Sequence, residues 1–241
     1  MIVNWSFLTS HQWDIDHSLY TQDLLEENYY PYVNLAKEIY TQRKNVTFRK
    51  CPAHTDFLKN MFALIAPFDL TIEIDISNDK QSIYCENLTQ NAFNELIDFR
   101  FLDDYDKVSS SYPLIGIDWL NVFTCDQSLV LQVFPAFFHD NDFTSKTTVI
   151  PGQFDISKWT RPVELVFEVK KSKEKIKIKK GDAVLYFKFN TDKIVKLVKA
   201  DTPWEEIKTC NQIRTENTFR PLTERYESLE QVRKMKCPFK N

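Results

Sequence analysis

From Lys170 to Phe189 the chain reads KKSKEKIKIKKGDAVLYFKF, with lysine at almost every second position and apolar residues between. A strict period of two means a strand with one face buried, because successive side chains of an extended chain point to opposite sides. The preceding stretch, RPVELVFEVK, has the same period, with Val163, Leu165, Phe167 and Val169 on one face and Glu164, Glu168 and Lys170 on the other. Together they predict two strands with Val163, Leu165, Phe167, Ile176 and Ile178 in the core and Lys175, Lys177 and Lys179 in water. A short polar turn separates them, so the simplest arrangement is a hairpin whose outer ladder sets Glu against Lys. A second turn at KKGD, where Gly181 can take positive φ, and a third at NTD extend this to a four-stranded meander ending in KIVKLVK. Outward lysines keep an exposed strand from recruiting another chain, and most such runs are solvated faces. The functional alternative is a basic surface for phosphate or an acidic partner. Aliphatic rather than aromatic residues interleave the lysines, unlike a stacking surface for single-stranded nucleic acid.

The rest of the chain fixes the class. At 241 residues it can bury a sizeable core, and 43% hydrophobic with 27% charged residues describes a soluble globular protein. The apolar run MFALIAPF is too short to span a bilayer, and the N-terminal sequence lacks the basic start and apolar core of a signal peptide. The expectation is a cytoplasmic protein with no membrane partner. Five cysteines at wide spacings, with no Cys-x-x-Cys, read as reduced thiols rather than a disulfide frame or zinc site. A net charge of -3 makes nucleic acid an unlikely main partner. Only three glycines occur, far apart, so no glycine-rich loop can cradle phosphate.

Read along its length, the chain is α+β: a mainly antiparallel, jelly-roll-like β-sandwich with flanking helices. Residues 1–60 form an aromatic, partly helical N-terminal segment, 61–200 the sandwich, and 201–241 helices packed on it. DLTIEIDIS, QSIYCEN, YPLIGIDWLNVFT and SLVLQVFPAFF read as strands. PYVNLAKEIYTQRKN, LTQNAFNELIDFR, TPWEEIKTCNQI and RPLTERYESLEQVRKM read as helices. One connection, PGQFDISKWTRP, is long and carries Phe154, Ile156 and Trp159. It is expected to be ordered and to wall whatever site exists, with Arg161 at the rim.

Chemistry-bearing residues are sparse. His11, Asp14, Asp16 and His17 could hold a metal, and Cys51 and Cys237 could be nucleophiles only if a nearby base lowered their pKa. The triplet His54-Thr55-Asp56, with His139 downstream, resembles the facial triad of Fe(II)/2-oxoglutarate oxygenases. That resemblance implies His54, Asp56 and His139 as iron ligands, with Arg161 on the keto acid. The local sequence points elsewhere: Asp56 is placed to cap a short helix, and His139 lies in HDND, a surface-turn composition. The expectation is therefore no metal and no cofactor, with the oxygenase as the alternative.

The stretches FRKCPAHTDFLKNMFALIAPFDL and IPGQFDISKWTRPVELVFEV, followed by IKIKKGDAVLYFKF, resemble proteins of no assigned activity encoded by tailed, especially marine, bacteriophages. The likeness covers roughly residues 45–190. The KGD turn leading into an alternating strand is similar to jelly-roll proteins such as cupins and to the barrel of dUTPase-like enzymes, without the cupin H-x-H or the dUTPase glycine-rich motif. These resemblances imply a phage accessory or structural protein without catalysis, in host cytosol or virion. It would act through a surface on a protein partner or by self-association as a homo-oligomer. Trp159, Arg161, Lys175, Lys177 and Lys179 are the candidate surface, and a small-ligand or nucleotide-binding jelly-roll module is a further alternative.

Overall fold

The computed structural model describes residues 1–7, 30–42, 51–75, 82–100, 114–201, 203–216 and 221–236. It is an α+β fold in which the strands of the described residues form three sheets, antiparallel at every pairing there but one. Sheet I runs β14 (Lys196–Lys199), β1 (Ile2–Phe7), β7 (Leu114–Thr124), β11 (Pro162–Val169) and β9 (Thr147–Val149), with β6 (Ile97–Arg100) also on β7. The single parallel pair is β1 with β14. Sheet II runs β10 (Gly152–Asp155), β8 (Val130–Pro135), β13 (Ala183–Phe189), β3 (Met61–Ile65) and β2 (Tyr32–Asn34). Sheet III is β12 (Lys173–Ile178), β4 (Leu70–Asp75) and β5 (Ser82–Cys85). The sheets cross the expected boundary at residue 60, since β1 and β2 are hydrogen-bonded to β7 and β3.

Inward rows from all three sheets meet in one core: Phe123 and Phe167 from sheet I, Phe187 and Phe189 from sheet II, Ile72 and Ile176 from sheet III. Sheet II is apolar on both faces because its other side is covered. Met61, Ala63 and Tyr186 pack there against Leu35 and Ile39 of helix α1 (Leu35–Gln42) and Leu58 of helix α2 (Pro52–Leu58). This explains why β3 is an unbroken apolar run. Across the main core, the Tyr32 hydroxyl donates to Asn121 Oδ1 at 2.7 Å, tying sheet II to sheet I. Helix α3 (Gln90–Leu96) starts at Thr89, whose hydroxyl accepts the Ala92 N–H.

The alternation assigns faces correctly and the neighbour wrongly. Val163, Leu165, Phe167, Ile176 and Ile178 are buried, and Lys175, Lys177 and Lys179 are exposed. But β11 and β12 are not a hairpin: β11 lies in sheet I between β7 and β9, and β12 lies in sheet III against β4. The two apolar rows face one core from different sheets instead of lying side by side. The acidic residues opposite the lysines are those of β4, with Lys173 on Asp75 at 3.0 Å and Lys175 on Glu73 at 2.7 Å; Lys175 also pairs with Glu86. Hydrogen bonds to Glu73 and Glu86 push the Lys175 ammonium up to about 12.

The four-stranded meander is likewise replaced. β3 and β4 run along β13 and β12 as one bent antiparallel ribbon. The register that pairs Ile65 with Ala183 also pairs Leu70 with Ile178 on the far side of the bend. At the bend the Ala66 N–H donates to Asp182 C=O (2.8 Å), the Gly181 N–H to Ala66 C=O (3.0 Å), and Asp69 accepts from the Lys180 N–H (2.6 Å). Gly181 does take positive φ, +95°, but it turns a corner in a ribbon and does not reverse the chain.

The outer edge of β12 is guarded by helix α4 (Asp142–Lys146), which Asn141 and Thr144 cap reciprocally. Asp142 accepts the Lys177 N–H at 2.7 Å, and Lys146 donates to the Lys175 carbonyl at 2.6 Å. Charged side chains thus occupy the backbone groups that would otherwise template another strand. Lys177 stands opposite Thr71, and its ammonium makes no close ion pair among the described residues, its charge acting only at longer range on Asp142. Lys177→Ala is accordingly expected to move Tm by less than about 2 °C in a thermal melt.

Candidate functional site: a cleft where two sheets part

The strand that begins as β9 serves two sheets. At Ile150 it still belongs to sheet I, its N–H donating to the Val166 carbonyl at 2.8 Å. Pro151 then carries it across to join β8 as β10, while β11 stays in sheet I. The strands β10 and β11, held together at Ile150 and rejoined by residues 156–161, therefore splay apart. Between them opens a cleft of about 360 Å³. Gly152 and Phe154 line one side, Glu164 and Val166 the other, and Trp159 and Leu222 complete it.

The segment 156–161 is ordered because Asp155, only 7% exposed, is fully engaged. Its carboxylate accepts from Ser128 Oγ (2.6 Å), Ser157 Oγ (2.7 Å) and the N–H groups of Ser157 (3.0 Å) and Leu129 (3.2 Å). Burial would push this carboxyl up, but the donors outweigh it and hold it below the usual carboxylate range. The Asp155 N–H donates to the Tyr226 hydroxyl at 2.9 Å, which brings in helix α6 (Leu222–Lys236). With helix α5 (Trp204–Glu216), α6 encloses Trp159, 1% exposed, among Cys210, Ile213 and Leu229. Trp159 thus joins the helical layer to the cleft, with the Arg225 guanidinium 5.8 Å from its ring.

Arg161 is among the residues that line the cleft. Its Nε donates to the Pro162 carbonyl (3.1 Å) and its guanidinium pairs with Glu164 (2.8 Å), so the two charged side chains among the described lining residues are paired with each other. Lys175 and Lys177 lie in β12 of sheet III and Lys179 just after it, whereas Glu164 lies in β11 of sheet I and Arg161 just before it.

A second cleft, about 430 Å³, lies between Phe137–Asp140 and α4. His139 on its wall is held from both sides, with Nδ1 2.6 Å from the buried Tyr186 hydroxyl and Nε2 3.2 Å from Glu38 Oε1. The Tyr186 oxygen also accepts the Phe138 N–H (3.1 Å). His139, Tyr186 and Glu38 thus form one hydrogen-bonded network. It ties α1, β13 and the turn after β8 together, and no sequence pattern announced it, because its members are 47 and 101 positions apart.

The three residues of the triad reading are placed as follows. His54 lies within α2 with its ring against Phe138, centroids 5.7 Å apart. Asp56 does not cap that helix: α2 starts at Pro52 after Cys51, four residues earlier, because proline's fixed φ and missing N–H suit the first helical position. Asp56 is therefore an exposed mid-helix residue. Both ring nitrogens of His139 face Tyr186 and Glu38. Among the described residues no three His, Cys, Asp or Glu side chains group as a metal site requires. Cys51 is exposed, and Cys85, Cys125 and Cys210 are buried free thiols. His11, Asp14, Asp16, His17 and Cys237 lie outside the described residues.

No protein-family model matches the chain, and no curated protein matches it in sequence. No helix among the described residues is long and apolar enough to cross a membrane.

Proposed function

We infer that this chain is a binding protein without a catalytic role, an accessory or structural component that acts through the cleft between β10 and β11. The observation that carries this reading is the splaying of two strands from a common anchor at Ile150, which leaves an aromatic-walled opening between two sheets of a sandwich-like body. The clasp at Asp155 and the helices around Trp159 hold that opening rigid, which favours binding because little order is lost on association. The likeness of residues 45–190 to tailed-phage proteins supports a phage component in host cytosol or virion, and a protein partner or a second copy as its target. Sheets I and II, both largely antiparallel and facing one core, are the basis of the jelly-roll-like reading of the sandwich.

Gly152 provides the test. A Cβ added there meets nothing within 4 Å, and the backbone needs no glycine, so Gly152→Leu projects into the cleft without disturbing the fold. Small aromatic fragments screened by ligand-observed NMR are expected to bind the wild type and to lose binding in Gly152→Leu, with Tm unchanged within about 2 °C. Fragment binding that is indifferent to Gly152→Leu, or absent from the wild type, overturns the reading.

A further inference from the structure

We propose that the cleft takes an extended, uncharged polypeptide segment, which adds as a strand to the free edge of β10. This rests on the cleft being the functional surface and names what fills it.

The argument begins with the direction of backbone groups. Among the described residues β10 is the last strand of sheet II and pairs only with β8. The Asp155 N–H points away from β8, to the Tyr226 hydroxyl, and its carbonyl accepts from the Lys158 and Trp159 N–H groups. In an antiparallel ladder the residue two positions away points its N–H and C=O the same way. Gln153 therefore presents both groups along the edge that borders the cleft. Its side chain accepts from Gln132 (3.1 Å), but its backbone N–H and C=O have no partner among the described residues. On β12 the equivalent groups are occupied by Asp142 and Lys146, so the fold closes one edge and leaves the other open.

An open edge beside an apolar pocket is the chemistry of strand addition: the main chain supplies affinity, and alternate side chains fill the pocket. Here Phe154, Val166, Trp159 and Leu222 receive the inward side chains. Charge narrows the choice further. Arg161 and Glu164 neutralise each other across 2.8 Å, so the lining complements a neutral segment, and an acidic or basic one would have to break that pair.

The probe is the capped heptapeptide SVTVSVT, titrated into the full chain and followed at the Gln153 amide by NMR. Saturable binding that slows Gln153 amide exchange at least about tenfold is expected, with little dependence on salt. Of two N-methylated versions, one blocked on its valines and one on the alternate residues, one should bind at least about tenfold more weakly than the parent. Gln153→Pro, which removes the N–H at an edge position that tolerates proline, should show the same loss, read at the neighbouring Gly152 and Phe154 amides, with the fold retained. Parent-like binding by both methylated peptides, or by peptides with lysine or glutamate at the polar positions, overturns the proposal. So does the absence of heptapeptide binding at millimolar concentration. If fragments still bind the cleft in that case, only the occupant is wrong; if they do not, the functional reading falls with it.

Discussion

Asn60→Ala is expected to lower the unfolding free energy by about 2–4 kcal/mol, read from the urea midpoint at unchanged m-value. Asn60 is 7% exposed and sits at φ +57°, the left-handed region that asparagine tolerates better than alanine. Its side-chain amide donates to the carbonyls of Thr191 (2.9 Å) and Lys193 (2.8 Å), and its side-chain oxygen accepts the Val195 N–H (2.9 Å). One side chain therefore satisfies three backbone groups of the turn that links β13 in sheet II to β14 in sheet I. Removing it strands all three and adds backbone strain. Asn60→Gly relieves the strain but not the lost bonds, so it should recover only about 1 kcal/mol of the difference. Full recovery by glycine would show that the turn does not depend on these bonds.

Asp155→Ala is expected to cost about 2–4 kcal/mol at pH 7, because it leaves two hydroxyls, one buried N–H and one part-buried N–H without their acceptor. The pH dependence follows from the direction of its shift. The folded carboxyl is held below its unfolded value of about 3.9, so its contribution is fully present above that value and is lost as pH falls through the folded pKa. Denaturation of wild type and Asp155→Ala should differ by a constant amount from pH 7 to about pH 5 and converge below pH 4. A difference that grows on acidification would contradict the assignment. Since Asp155 also orders the segment bearing Trp159, the same substitution should weaken fragment binding in the cleft.

Much of the secondary structure could be read from the sequence. Leu70, Ile72 and Ile74 fix the inward face of β4 by period alone, and Pro203 with Glu205 and Glu206 marks the start of α5. The period of two says which side chains are inside; it says nothing about which strand lies alongside. Glu164 and Glu168 of β11 offer the lysines the same charge pattern as Glu73 and Asp75 of β4, so cross-strand complementarity could not choose between a nearby partner and one about a hundred positions away. Gly181 was legible as a positive-φ residue, yet a hairpin turn and a ribbon corner both use one. The cleft was half legible. Trp159 and Arg161 stood out as an aromatic and a cation in a long connection, whereas Gln153 carries no signal at all, since its role depends on the direction of its backbone. Asp155 could have been found: Asp-x-Ser is the sequence of an Asx turn, in which the carboxylate accepts from the N–H two residues on.

The bent ribbon also sets a timetable for synthesis. Lys173 and Lys175 contact residues 98 and 102 positions earlier, so nearly everything from β5 to β11 lies inside the loop that the ribbon closes. Closing a loop of that length costs about 4 kcal/mol of chain entropy, and such non-local pairing folds slowly. On the ribosome the wait is longer still. At roughly 5–20 residues per second, β3 and β4 emerge about 5–20 s before the strands that cover their edges. For that interval the apolar run Met61–Ile65 has neither β13 beside it nor a finished core beneath it. The growing chain is then most exposed to aggregation, and chaperone demand should peak between the synthesis of β4 and that of β13.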